Sequence, residues 1–271
     1  MPIRTVHVER DGQRLALRLH PGSGRRVLLL PAMGVPAGYY DGFAGLLTDA
    51  GFAVAVADLR GTGASTPHAD RRSRYGYAEL VDDVGALLAE LDADAPLLIG
   101  HSLGGHAAAL HLALGGTGAG LVLIASGTPY SRLYSGRAGA IVRGIAVTVS
   151  ATSAMLGYWP GHRMGFGGRQ ARGLMRDWGY MVRTGRFPTL SAVDVEARLA
   201  DVKVPVLGIS IADDTYTPAQ TLDHFCAKFT GAPVTRHHYT RAESGAPMNH
   251  FRWTRASTAL VPHIAAFTAT L

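Results

Sequence analysis

The chain has 271 residues, of which 47% are apolar and 17% charged, a make-up that suits one compact domain or one domain with a large insertion and excludes intrinsic disorder. Its 26 basic and 20 acidic residues give a net charge of +6, and every base except Lys203 and Lys228 is arginine, a skew that fits a GC-rich genome. The single cysteine, Cys226, excludes an intrachain disulfide framework, and no CxxC or Cys/His cluster suggests a structural zinc. No metal and no cofactor is therefore expected, and a reducing cytoplasm is the simplest setting.

Met1 to Glu9 lacks a cationic start followed by an apolar run, so no secretory signal is expected. Two alternating runs, Ile3 to Glu9 and Arg14 to His20, flank Asp11-Gly12 and predict an antiparallel hairpin. Then the rhythm changes. Val27 to Leu30, Phe52 to Ala57, Leu97 to Ile99, Leu121 to Ala125 and Val204 to Ile211 are continuous apolar runs, the mark of strands buried on both faces. Val234 to Tyr239 reads as a last strand. Helical spacing falls between them, over Ala37 to Ala50, Tyr77 to Leu91, Ser102 to Leu114, Thr217 to Phe229 and Phe251 to Thr270. Strand and helix in alternation predict an α/β fold with a mostly parallel, doubly wound sheet.

Residues 128–190 break the alternation. They show no clear strand, are rich in Gly and Arg, and hold Trp159 and Trp178, so they read as a mostly helical insertion. Within them Ala138 to Leu156 is the most apolar long stretch. Arg143 and several Thr and Ser interrupt it, which predicts a buried or amphipathic helix rather than a membrane span, and no stretch is read as reaching the roughly 18 apolar residues that a span needs.

Gly100-His101-Ser102-Leu103-Gly104 is a GxSxG that follows an apolar strand and opens an Ala/Leu-rich helix. A serine nucleophile on a sharp strand-to-helix turn needs small residues on either side. The plainer alternative is a glycine-rich turn with an incidental serine. At this point the chain resembles the α/β-hydrolase superfamily, in its serine-nucleophile, esterase- and lipase-like branch. A second motif, Asp58-Leu59-Arg60-Gly61-Thr62-Gly63-Ala64-Ser65, is similar to the DxRGxGxS segment that follows the fourth strand of such enzymes. The resemblance implies an α/β-hydrolase core over residues 1–127 and 191–271 and a cap over 128–190. Pro31-Ala32-Met33-Gly34, Ala212-Asp213-Asp214 and Tyr158-Trp159-Pro160-Gly161 are also similar to segments of a bacterial subgroup of predicted hydrolases.

The family order of nucleophile, acid and base implies Ser102, Asp214 and His250. Asp214 lies four residues before Pro218 in the loop resembling the family's acid loop, and the adjacent Asp213 is the alternative. His250 follows the last strand. His101, His106, His111, His237 and His238 have blander, structural readings. The resemblance puts the oxyanion donors at the backbone of Leu103 and Met33, although Pro31-Ala32-Met33 stands where the family usually has His-Gly-x.

These residues imply a serine hydrolase of a small or medium acyl ester or thioester. An acyltransferase or cyclase could use the same triad with a hydroxyl or amine acceptor, and a non-catalytic binder on the same fold is a further alternative. Residues 128–190 hold nine arginines against Asp177, a charge of +8, and leave −2 on the rest. A basic lid over the nucleophile predicts an acyl substrate that is anionic or carrier-linked, bound near Trp159 and Trp178. The alternative is a merely solvated face. Nucleic-acid binding would need a recognisable module, and none is present.

Overall fold

The computed structural model describes residues 2–93 and 95–271. In chain order its elements are β1 (Arg4–Arg10), β2 (Gln13–Leu19), β3 (Arg26–Leu30), α1 (Asp41–Asp49), β4 (Ala53–Ala57), α2 (Tyr77–Leu91), β5 (Leu97–His101), α3 (Leu103–Ala113) and β6 (Gly120–Ile124). There follow α4 (Ala138–Leu156), β7 (Tyr158–Pro160), α5 (Gly161–Met164), β8 (Arg169–Ala171), α6 (Arg172–Thr184) and α7 (Val195–Arg198). The chain closes with β9 (Val206–Ile211), α8 (Ala219–Cys226), β10 (Val234–Tyr239), α9 (Arg241–Ser244) and α10 (Leu260–Thr268). Eight strands form one sheet in the order β1-β2-β4-β3-β5-β6-β9-β10. The hairpin β1–β2 joins it antiparallel, and the remaining pairings are parallel.

The continuous apolar runs are explained by burial on both faces. Leu28, Leu30 and Leu98 point into one core with α2, α3 and α8, whereas Val27, Leu29, Leu97 and Ile99 point into the other with α1, Trp253 and α10. Alternate strand residues face opposite ways, so a sheet covered twice needs every position apolar.

The Asp58 to Ser65 motif is a brace for this frame. Asp58 Oδ1 accepts the Ala37 amide at 2.6 Å and Oδ2 accepts the Ala64 amide at 2.8 Å. Arg60 donates from Nε to Asp83 on α2 at 2.7 Å, with a second Arg60–Asp83 bond beside it, both side chains being buried. A buried ion pair of this kind is tolerated because fork and carboxylate satisfy each other.

Several boundaries differ from the sequence expectation. The helix expected at Ala37–Ala50 opens with a 3-10 turn over Ala37–Tyr40. The helix expected at Thr217–Phe229 is α8 alone, because Thr217 is held in the turn before Pro218. The long final helix is split into a 3-10 turn at Arg252–Ala256 and α10. Pro262 lies in the first turn of α10, where its missing N–H costs nothing, and would break a helix running through it.

Between β6 and β9, residues 128–190 are mainly helical, but they also contain the antiparallel pair β7–β8, which the sequence reading missed. Three residues per strand are too few to show a period. Of the two expectations for helix α4, buried or amphipathic, the structure does not bear out the buried one, and it corrects the expectation that no stretch reaches span length. The helix is long and apolar enough to cross a membrane by length and composition, and only 22% of its most apolar window is buried. Ile141, Val142, Ile145 and Val149 form one wall of the cavity described below, whereas Val147, Met155 and Leu156 are exposed outside it.

Candidate active site

Strand β5 runs into Ser102, which takes φ 52 and ψ −118, a conformation a non-glycine residue holds only when its surroundings impose it. The surroundings are tight. A Cβ on Gly100 would meet Gly105 Cα at 2.2 Å, and one on Gly104 would meet the Leu30 carbonyl oxygen at 2.0 Å. Glycine at both positions lets α3 press against β3 and β5 and leaves Ser102 at the turn. Ser102 N–H donates to Ile124 O at 3.1 Å, and Ser126 Oγ donates to Ser102 O at 2.6 Å.

His250 and Asp214 come from loops at the same end of the sheet. His250 Nδ1 lies 2.8 Å from Asp214 Oδ2, with both residues buried. The Asp214 carboxylate is saturated: Oδ1 accepts the Tyr216 and Thr217 amides at 2.8 and 2.9 Å, and Oδ2 also accepts Thr217 Oγ1–H at 2.6 Å. Burial alone would raise its pKa, but the charge of His250 and the hydrogen bonds from His250 and Thr217 hold it below the ordinary value. Asp213, by contrast, turns outward at φ 60 and pairs with Arg241. Asn249 Oδ1 accepts the Phe251 and Arg252 amides at 2.9 Å each and fixes the turn that carries His250.

Leu103 is the first residue of α3, where an N–H precedes the helical ladder and stays available. Met33 sits in the turn after β3. That turn is braced by Tyr40, whose hydroxyl oxygen accepts the Ala32 amide at 2.9 Å. A tyrosine from the 3-10 turn before α1 thus holds the loop that carries Met33.

Ser102, Leu103, Met33 and His250 line one cavity of about 800 Å³. Its remaining wall comes from α4 (Ile141, Val142, Ile145, Val149), from Trp159, Met164, Phe166 and Trp178, and from Tyr216 and Phe251. Both tryptophans singled out in the sequence therefore reach the cavity. Trp159 Nε1–H donates to Phe166 O at 2.8 Å, and Phe166 stacks towards Tyr216, which in turn stacks on His250 with centroids 5.2 Å apart. The α4 side chains escaped sequence reasoning because apolar residues at helical spacing read as core, and Phe166 and Tyr216 because they lie in loops with no pattern of their own. Among the described lining residues there is no arginine and no carboxylate. His106, which also lines the cavity, is held in place: its Nε2–H donates to Gly127 O at 3.0 Å, and burial takes its pKa down to about 4.

Residues 23–243 match the family described as serine aminopeptidase, S33. The chain belongs to this family of α/β hydrolases. The match ends before His250. No curated protein sequence matches the chain. Among solved structures it is similar to a hydrolase from Pseudomonas aeruginosa, at 24% identity over 98% of each chain with a TM-score of 0.61. It is also similar to the thioesterase domain from the curacin biosynthetic pathway, at 16% identity over 97% of this chain and 99% of that one, TM-score 0.65. A third similar structure is Est816, described as an N-acyl homoserine lactone degrading enzyme, at 20% identity over 97% and 100% of the chains, TM-score 0.64. At such identities these likenesses establish the fold.

Proposed function

We propose that the protein hydrolyses carboxylic esters or thioesters of apolar, small to medium acyl groups through an acyl-enzyme on Ser102. The observation that carries this reading is the buried Asp214–His250 hydrogen bond at the wall of an apolar cavity that also exposes Ser102. Ser102 Oγ attacks the acyl carbonyl while His250 Nε2 takes its proton, and Asp214 offsets the imidazolium that forms. The Met33 and Leu103 amides receive the negative charge that develops on the carbonyl oxygen. His250 then protonates the leaving alcohol or thiol. Water, activated by the same histidine, releases the acid and restores the serine.

The family description names an aminopeptidase, but an aminopeptidase must pair the free ammonium of its substrate, and among the described residues no carboxylate lines this cavity. The lactone-degrading and thioesterase names of similar structures fit an acyl substrate better. A chain-length panel of p-nitrophenyl esters and acyl thioesters, run beside Ser102→Ala, tests the reading. Turnover of esters that disappears in the variant supports it; turnover of aminoacyl anilides alone, or activity surviving in Ser102→Ala, overturns it.

A further inference from the structure

Away from the cavity, three side chains from three elements converge on the outer edge of the sheet. His237 lies on the edge strand β10, Glu243 on α9 and His263 on α10. Glu243 Oε1 stands 3.1 Å from His237 Nε2 and 3.4 Å from His263 Nε2, and the three ligand atoms all lie within 4.8 Å of one another. The other carboxylate oxygen is occupied: Oε2 accepts both the Thr240 amide and its hydroxyl at 2.8 Å. The α9 capping box therefore fixes the carboxylate and turns Oε1 towards the two imidazoles.

An ordinary hydrogen-bonded cluster explains this poorly. His237 Nε2 is buried yet forms no hydrogen bond, because its in-plane direction misses the oxygen 3.1 Å away. Two ligands bonded at about 2.0–2.2 Å to a tetrahedral ion are about 3.3–3.6 Å apart. The distances from Glu243 Oε1 to the two nitrogens are close to that edge length, and the two imidazoles, now packed with ring centroids 3.9 Å apart, would splay to face one ion.

We propose that His237, Glu243 and His263 bind a divalent transition metal of the zinc class, with solvent water completing the coordination. Two imidazoles and one carboxylate suit zinc, cobalt or nickel rather than calcium or magnesium, which take oxygen ligands. None of the three residues lines the cavity, so the ion acts on structure. It would clamp β10, α9 and α10 together at the start of the segment that leads to His250. Sequence inspection expected no metal because the ligands are 6 and 20 residues apart and share no motif.

The test uses tag-free, chelator-treated protein titrated with zinc by calorimetry and with cobalt by visible absorption, beside His263→Ala and Glu243→Gln. Glutamine preserves the capping box, and His263 is half exposed, so both variants are expected to fold, with circular dichroism as the check. The proposal expects one equivalent of zinc at pH 7.5, a Tm raised by several degrees, and at least a tenfold loss of affinity in each variant. Ester turnover by metal-free wild type and variants should agree within about twofold. No saturable binding, or binding and a thermal shift that persist in either variant, overturns it.

Discussion

The hydroxyl of Tyr40 lies 2.7 Å from His101 Nδ1 while accepting the Ala32 amide, so one buried oxygen links the loop before Met33 to the residue before Ser102. His101 in turn packs on His250 with ring centroids 4.9 Å apart. Burial, with the neighbouring His250 charge, holds the His101 pKa well below its ordinary value, so it is a neutral hydrogen-bonding partner. Tyr40→Phe leaves an amide and a ring nitrogen unpartnered, at a cost of about 1–3 kcal/mol. With the Met33 amide no longer held, kcat should fall about tenfold or more, short of the 10²–10³ seen when an oxyanion donor is removed outright, with KM little changed. Steady-state kinetics and thermal melts measure the two effects separately.

Asp213 and Asp214 are adjacent in sequence and face opposite ways, Asp213 to Arg241 and Asp214 to His250. Asp214→Asn should lower kcat by roughly 10³–10⁴, because an amide holds the imidazole in the wrong tautomer, while Asp213→Asn should stay within about twofold. The pKa of Asp214 is lower folded than unfolded, so its ionised form stabilises the protein above the ordinary aspartate value of 3.8, and this stability is lost as pH falls through the folded value. Tm profiles of wild type and Asp214→Asn should run apart above about pH 5 and converge below 3.8. Parallel profiles across that window would contradict the assignment.

Ser102, Asp214 and His250, the proposed nucleophile, acid and base, stood out in the sequence because the GxSxG turn and the resemblance to family loops mark them. In the structure each lies at a constrained turn, between the glycines around Ser102, before Pro218 for Asp214 and beside Asn249 for His250. Side chains that act across elements leave no local trace. Tyr40 does its work on Ala32 and His101, and Phe166 and Ile145 face a cavity while presenting the same helical or loop pattern as core residues. The sheet order that gathers His237, Glu243 and His263 is equally invisible in one dimension.

Asp177 is the one acid in residues 128–190, and it serves the core. Its Oδ2 accepts the Tyr77 amide at 3.2 Å at the start of α2, where the N-cap residue Gly76 has no side chain to do so. Arg176 holds the other oxygen at 3.0 Å. Asp177→Ala should therefore cost about 1–2 kcal/mol as a lost helix cap. Differential scanning calorimetry should show Tm lowered by about 2–8 °C. A variant as stable as wild type would mean that water caps α2 equally well.

The basic lid predicts selection of an anionic substrate only if an arginine meets the acyl group, and none lines the cavity among the described residues. Arg169 lies 4.6 Å from the Tyr158 ring and Arg176 pairs with Asp177, both structural contacts. Arg143→Ala and Arg163→Ala should accordingly change kcat/KM for matched neutral and anionic esters by the same factor. A loss on the anionic ester alone would restore the lid as a selector.

The wall formed by α4 should set acyl length. Ile145 lies in that wall with Ile141 one turn before it, and both are exposed. Ile145→Trp is expected to fill part of the 800 Å³ space from the α4 wall. Each methylene denied its apolar site forfeits about 0.8 kcal/mol, so excluding two should cost about 15-fold in kcat/KM on longer esters. Acetate esters, which need none of that space, should be turned over within about twofold of wild type. A uniform loss across the series would show that α4 shapes the catalytic geometry rather than the acyl pocket.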